Sequence, residues 1–149
     1  MAKPFETWTV FPHGPIEDGS LVVHNAIALS DDEMKELEAW GKPAWLIVPN
    51  GGHRMDSRIW KQRYPNLKVV APPGAKTKVE EIVKVDETKP AFDDTVRYEV
   101  LDGTKEREGV LRVLGDGKSS LVFCDGIMNN RKLAGFGGFI ASTWRTASP

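Results

Sequence analysis

Ala44-Trp45-Leu46-Ile47-Val48-Pro49-Asn50-Gly51-Gly52-His53 is the stretch on which the reading of this chain turns. Its first five residues are uninterruptedly apolar and are bounded by Pro43 and Pro49. That run is too short for a buried helix, and it predicts an internal strand covered on both faces. A Gly-rich loop, 50–53, follows the strand, and a helix follows the loop. Asp56 is placed to cap the first turn of that helix, Ile59, Trp60 and Tyr64 ride on it, and Pro65 ends it. Upstream, 20–24 is short, β-branched and bounded by Gly19 and Asn25, as a buried strand would be. Ser30 with Glu33 three residues on forms a capping box. Met34, Leu37 and Trp40 then recur at helical spacing, and Gly41 supplies a left-handed stop. Downstream, 67–71 predicts a third strand and 76–83 a short helix with Val79, Ile82 and Val83 inward.

The first half therefore alternates strand and helix, the pattern of a sheet built with crossover helices. The second half changes character. Residues 95–100 alternate with period two, and 109–114, the turn Gly115-Asp116-Gly117 and 119–123 predict a hairpin. Near the N-terminus, Phe11-Pro12-His13-Gly14-Pro15 is a loop, because neither proline has an N–H to give a strand, and His13 within it reads as solvated. From Asn129 onward the Gly-rich chain has no assignment.

Composition narrows the function classes. The chain has 149 residues, 28% charged and 40% hydrophobic, which fits one globular domain spanning 1–149 and excludes collagen, coiled coil and disorder. A net charge of -1 provides no field to gather nucleic-acid phosphates or an anionic membrane. No apolar run approaches the roughly 20 residues that span a bilayer, and no signal pattern opens the chain, so a cytoplasmic location is expected. Cys124 is the single cysteine, which excludes an intrachain disulfide and a Cys-rich zinc site. With apolar neighbours and no adjacent base, it reads as an inert core thiol.

In a sheet with crossover helices, ligands bind where the strands exit at their carboxyl ends. Three exits carry chemistry: His24, the loop Asn50-Gly51-Gly52-His53, and Asp125 after the final hairpin strand. Two imidazoles and a carboxylate are ligand types that a divalent transition metal prefers, with Glu106 or Glu108 available as a fourth. Each has a plainer reading. His24 could be a half-buried histidine bonded to backbone, Asp125 could open a turn with Gly126, and Gly51 and Gly52 could serve only a tight turn.

Asn50-Gly51-Gly52-His53, Tyr64-Pro65-Asn66, Val69-Val70-Ala71-Pro72 and Leu121-Val122-Phe123-Cys124-Asp125-Gly126 together resemble the metallo-β-lactamase fold, most closely a branch with a Pro-Asn-x-x-His turn. The similarity covers roughly residues 20–130. It implies an α/β fold, an αββα sandwich of mixed sheets with flanking helices, whose members usually hold two zinc or iron ions and hydrolyse esters, amides or phosphoesters. The family's His-x-His-x-Asp-His run then falls on Val48, Asn50, Gly52 and His53, so only the last histidine is present. Asp125 takes the position of the bridging aspartate, and the middle histidine maps onto the region of Glu106 and Glu108. His24 stands where ordinary members carry an aspartate. The final histidine has no counterpart, and the terminal helix and strand are absent or abbreviated.

The resemblance thus implies a metal set of His53, Asp125, His24 and Glu108, with Asn50, Gly51 and Gly52 as binding residues. Such a set holds at most one zinc or iron ion, or none. One ion with three protein ligands and an open position lowers the pKa of bound water to about 7, the minimal hydrolytic device. The alternative is a non-catalytic module that binds a small molecule or a protein on the same scaffold. A third reading makes the 47–52 turn an anion site at a helix N-terminus, but no nucleotide fingerprint accompanies it. No Gly-x-Ser-x-Gly elbow supports a serine nucleophile. The five tryptophans read as core and interface aromatics. Gly135-Phe136-Gly137-Gly138-Phe139 would either dock on a second subunit, giving a homodimer, or fold back on its own domain.

Overall fold

The computed structural model describes residues 19–92, 94–115 and 117–126. The predicted loop at 11–15 and the arm at 135–139 lie outside them. Three α-helices and two three-stranded sheets make a mixed α/β fold among the described residues. The first sheet is parallel, in the order β1 (Ser20–His24), β2 (Lys42–Ile47), β3 (Lys68–Val70). The second is an antiparallel meander of β4 (Val96–Val100), β5 (Gly109–Gly115) and β6 (Lys118–Val122).

A parallel sheet whose spatial order follows the chain order, with right-handed crossovers throughout, carries all its helices on one face. Met34 and Leu37 of α1 (Asp31–Glu38), Trp60 of α2 (Ser57–Arg63) and Val79 of α3 (Lys76–Glu80) pack there with Leu46 and Val69. Among the described residues the opposite face has no helix, and alternate residues of the same strands turn to it. Ile47 and Val70 are fully buried there against Leu111 of β5, with Val22, Trp45, Tyr98 and Val122 around them. The strand reading of 44–48 therefore holds: Leu46 and Ile47, adjacent in sequence, are each wholly buried on opposite faces of one sheet. Trp45 meets Phe92 edge-on at 5.0 Å and carries the Lys68 ammonium 4.5 Å above its ring.

Local expectations fared unevenly. The capping box is present, with the Ser30 N–H donating to Glu33 Oε2 at 2.9 Å and the Glu33 N–H to Ser30 Oγ at 3.4 Å. Gly41 is not a left-handed stop, since the helix ends at Ala39 in right-handed geometry. Its glycine is needed for proximity instead: a Cβ there would stand 2.6 Å from the carbonyl oxygen of Gly19. Trp40 falls beyond the helix end and is half exposed, and Ile59 faces outward on α2. Asp56 does not cap α2. Its Oδ2 accepts the Ala28 N–H at 2.8 Å, tying the chain after β1 to the start of the helix. The fully buried Trp60 repeats that tie by donating its indole N–H to the Ile27 carbonyl at 2.9 Å. The segment expected as helix over 76–83 begins as a 3-10 turn at Pro73–Ala75 and closes its α-helix at Glu80. The sequence reading also missed a parallel bridge from Val70 to Glu87 beside β3.

Backbone hydrogen bonds join the two halves. Gly109 donates to the Pro49 carbonyl at 2.8 Å, and Gly74 donates to the Glu106 carbonyl at 2.8 Å. A Cβ on Gly74 would lie 2.5 Å from the Lys105 oxygen and 2.9 Å from the Glu106 oxygen, both main-chain atoms that cannot swing aside. Gly74→Ala is expected to lower stability by about 1–3 kcal/mol, as overpacking does, measured as a drop in the urea midpoint. An unchanged midpoint would show that the halves are not held at this contact.

Candidate functional site

The exits of β2 and β6 meet at the join between the sheets. After β2, Asn50 shapes its own loop: Oδ1 accepts the Gly52 N–H at 2.8 Å and the His53 N–H at 3.3 Å. Gly51 and Gly52 keep ordinary negative φ, so the Asn50 side chain, rather than glycine freedom, makes the turn. Arg54 pins it from below, donating to the Gly51 carbonyl at 2.6 Å and to Glu81 Oε2 at 3.1 Å. The same Asn50 reaches across the join, and its amide donates to Asp125 Oδ2 at 3.0 Å. His53 Nε2 lies 3.1 Å from that oxygen, with the two side chains 38% and 46% exposed.

Past β6 the chain bends at 124–126 and brings a third donor to the same point. A nitrogen of His53, Cys124 Sγ and a carboxylate oxygen of Asp125 all lie within 4.8 Å of one another. The bend is held by Glu108, which is buried and accepts the Gly126 N–H on Oε1 at 2.5 Å. Among the predicted site residues, then, His53, Asp125 and Asn50 converge and Glu108 supports the turn behind them. Glu106 is exposed, and its contribution here is the backbone carbonyl that meets Gly74.

Cys124 belongs to this group and was missed from the sequence. Successive residues of a strand point to opposite faces, so Cys124 and Asp125 would not be expected to converge. The bend beyond β6 removes that alternation. The thiol is pushed up to about 12 by burial first, then by the negative charges of Asp125 and Glu108. It stays protonated at neutral pH and is no nucleophile by itself, but it is half-buried beside His53 and Asp125 rather than the core thiol expected.

His24, at the end of β1, is close enough to His53 for their charges to repel. Its Nε2 is buried without a hydrogen-bond partner among the described residues. Burial first, and His53 second, hold its pKa down to about 4, so it is neutral at pH 7. A cleft of about 170 Å³ opens beside His53, lined by Asn25, Ile27, Gly52, Met55 and Asp56. At roughly 30 Å³ per molecule it has room for about five waters, or a small organic group. No family model, no curated protein and no solved structure matches the chain.

The His24 imidazole makes stability depend on pH. With a folded pKa of about 4 against 6.5 unfolded, the unfolded chain binds a proton the folded chain refuses between those values. Stability from His24 is thus complete above pH 6.5 and falls as pH drops towards 4. Between pH 7.5 and 4.5 the native chain is expected to lose roughly 2–3 kcal/mol more than His24→Gln by urea unfolding. Equal losses would mean that His24 is not held neutral.

Proposed function

We propose that this chain is a metallo-β-lactamase-like protein with a reduced site for a single zinc or iron ion, acting as a hydrolase on a small molecule in the cytoplasm. The observation that carries the reading is the meeting of His53 and Asp125 at 3.1 Å, 72 residues apart, at the carboxyl ends of strands from two sheets. The layering of helices, parallel sheet and antiparallel sheet supports kinship with the αββα sandwich. The donors suit the ion: an imidazole nitrogen and a carboxylate oxygen are both zinc and iron ligands. Both side chains are open enough to admit it.

A bound divalent ion supplies a Lewis acid that makes water a nucleophile near neutral pH. His53 and Asp125 would hold that ion, and Asn50 fixes the carboxylate by donating to Oδ2. Glu108 spends Oε1 on Gly126 and braces the bend that carries Asp125, and His24 is the remaining candidate ligand. Kept neutral, His24 adds no repelling charge beside the ion. The cleft next to His53 takes the non-reacting part of the substrate, with Ile27 and Met55 as apolar contacts. One feature favours the alternative of a non-catalytic binding module. Asp125 Oδ2 already serves both Asn50 and His53, so the polar groups satisfy one another without an ion.

Metal content separates the two. Protein purified without chelator is expected to carry about one Zn or Fe per chain by emission spectrometry. Metal at a hundred times its dissociation constant adds about 2.7 kcal/mol, a rise in Tm of roughly 5–10 °C, which His53→Ala abolishes. Substoichiometric metal together with a Tm that added metal does not move would leave only the binding module.

A further inference from the structure

We infer that Cys124 is a ligand of the same ion, making the site a mixed imidazole, thiolate and carboxylate centre that selects zinc-like ions over hard ones. The inference rests on the metal-site reading above and specifies its chemistry. Cys124 Sγ stands in the one group of potential metal donors among the described residues, all within 4.8 Å of one another. It faces the same two polar partners, Asp125 and Asn50, that position His53. It is free of any disulfide and half-buried, so it is reachable by an ion entering past the more exposed His53 and Asp125.

The bend after β6 places the sulfur there. Val122, the last residue of β6, pairs with Leu111, and beyond it the chain bends at 124–126 and carries Cys124 to the donor group. Gly109, which opens β5, is bonded to the Pro49 carbonyl, and this holds the β5–β6 pair beside the start of the His53 loop. Three donors from two loops leave a coordination position open, as a catalytic zinc site requires. On binding, Sγ releases its proton to solvent and donates its electron pair to the ion, with no change of oxidation state. Softness then decides the occupant. A thiolate with an imidazole favours Zn²⁺, Co²⁺ or Fe²⁺, whereas Mg²⁺, Ca²⁺ and Mn²⁺ prefer carboxylates, carbonyls and water.

Cobalt substitution reads the sulfur directly. Titration of the metal-free protein with Co²⁺ is expected to raise a thiolate-to-cobalt charge-transfer band in the near ultraviolet. Cys124→Ser should abolish that band and weaken binding about 100-fold, at least the cost of losing an outer partner, while circular dichroism stays native. Cys124→Ala serves if the serine variant misfolds. By calorimetry Zn²⁺ should bind and Mg²⁺ should not. Cobalt bound with visible bands but no charge-transfer band would overturn the thiolate and leave the two-residue site of His53 and Asp125 standing. No cobalt binding at all would overturn both.

Discussion

The bond from the Gly109 N–H to the Pro49 carbonyl, 2.8 Å long, is the constraint on which the site depends. It fixes the exit of the central parallel strand against the first residue of the central antiparallel strand. The donor group found among the described residues is built around those two points: Asn50 and His53 lie on one side, and Glu108, with Cys124 and Asp125 in the bend after β6, on the other. The apolar seam of Ile47, Val70 and Leu111 makes the contact permanent. A single backbone hydrogen bond contributes only about 1 kcal/mol net. Burying Ile47, Val70 and Leu111 contributes several times that, at roughly 1.5–3 kcal/mol each. Apolar burial therefore holds the sheets together, and the hydrogen bonds set their register.

Around that join the polar groups form a graded arrangement. Glu108, buried, spends one oxygen on the Gly126 N–H and so fixes the bend from behind. Asn50 uses both ends of its amide, its oxygen on its own loop and its nitrogen on Asp125, and so joins two segments 75 residues apart. The outermost groups, His53 and Asp125, are left half in solvent, where a ligand could reach them. Rigid support behind an accessible pair of donors is what a binding site needs, since groups held in place lose little entropy when they engage. His24 fits the same logic from the other side, because burial and His53 together keep it uncharged.

Much of the fold was legible because it rests on patterns with one physical solution. An apolar run between prolines at 44–48 must be a covered strand, and Ser30 with Glu33 must begin a helix, since the box satisfies two orphan donors at once. The reading failed where tertiary contacts override local rules. Asp56 had the chemistry of a cap, but the Ala28 N–H claimed its carboxylate. Gly41 looked like a helix stop because glycine usually is one there, whereas the Gly19 carbonyl across the sheet excludes any side chain. For the site, strand exits pointed to His53, Asp125 and Asn50, while Cys124 was invisible because its place depends on a bend after β6 that no local pattern announces.

That miss bears on how such sites arise. A strand presents alternate residues to opposite faces, so a donor pair adjacent in sequence is normally divided between core and site. Ending β6 at Val122 and bending the chain at 124–126 lets Cys124 and Asp125 serve one point. Gly126 leaves room for the bend: a Cβ there would stand 2.9 Å from Glu108 Oε1 and 2.6 Å from Leu101 Cδ2, so both side chains would have to shift. The donor set is thus decided less by the donors than by a buried carboxylate and a glycine beside them. A substitution at Glu108 would disperse the group while leaving every donor in the sequence.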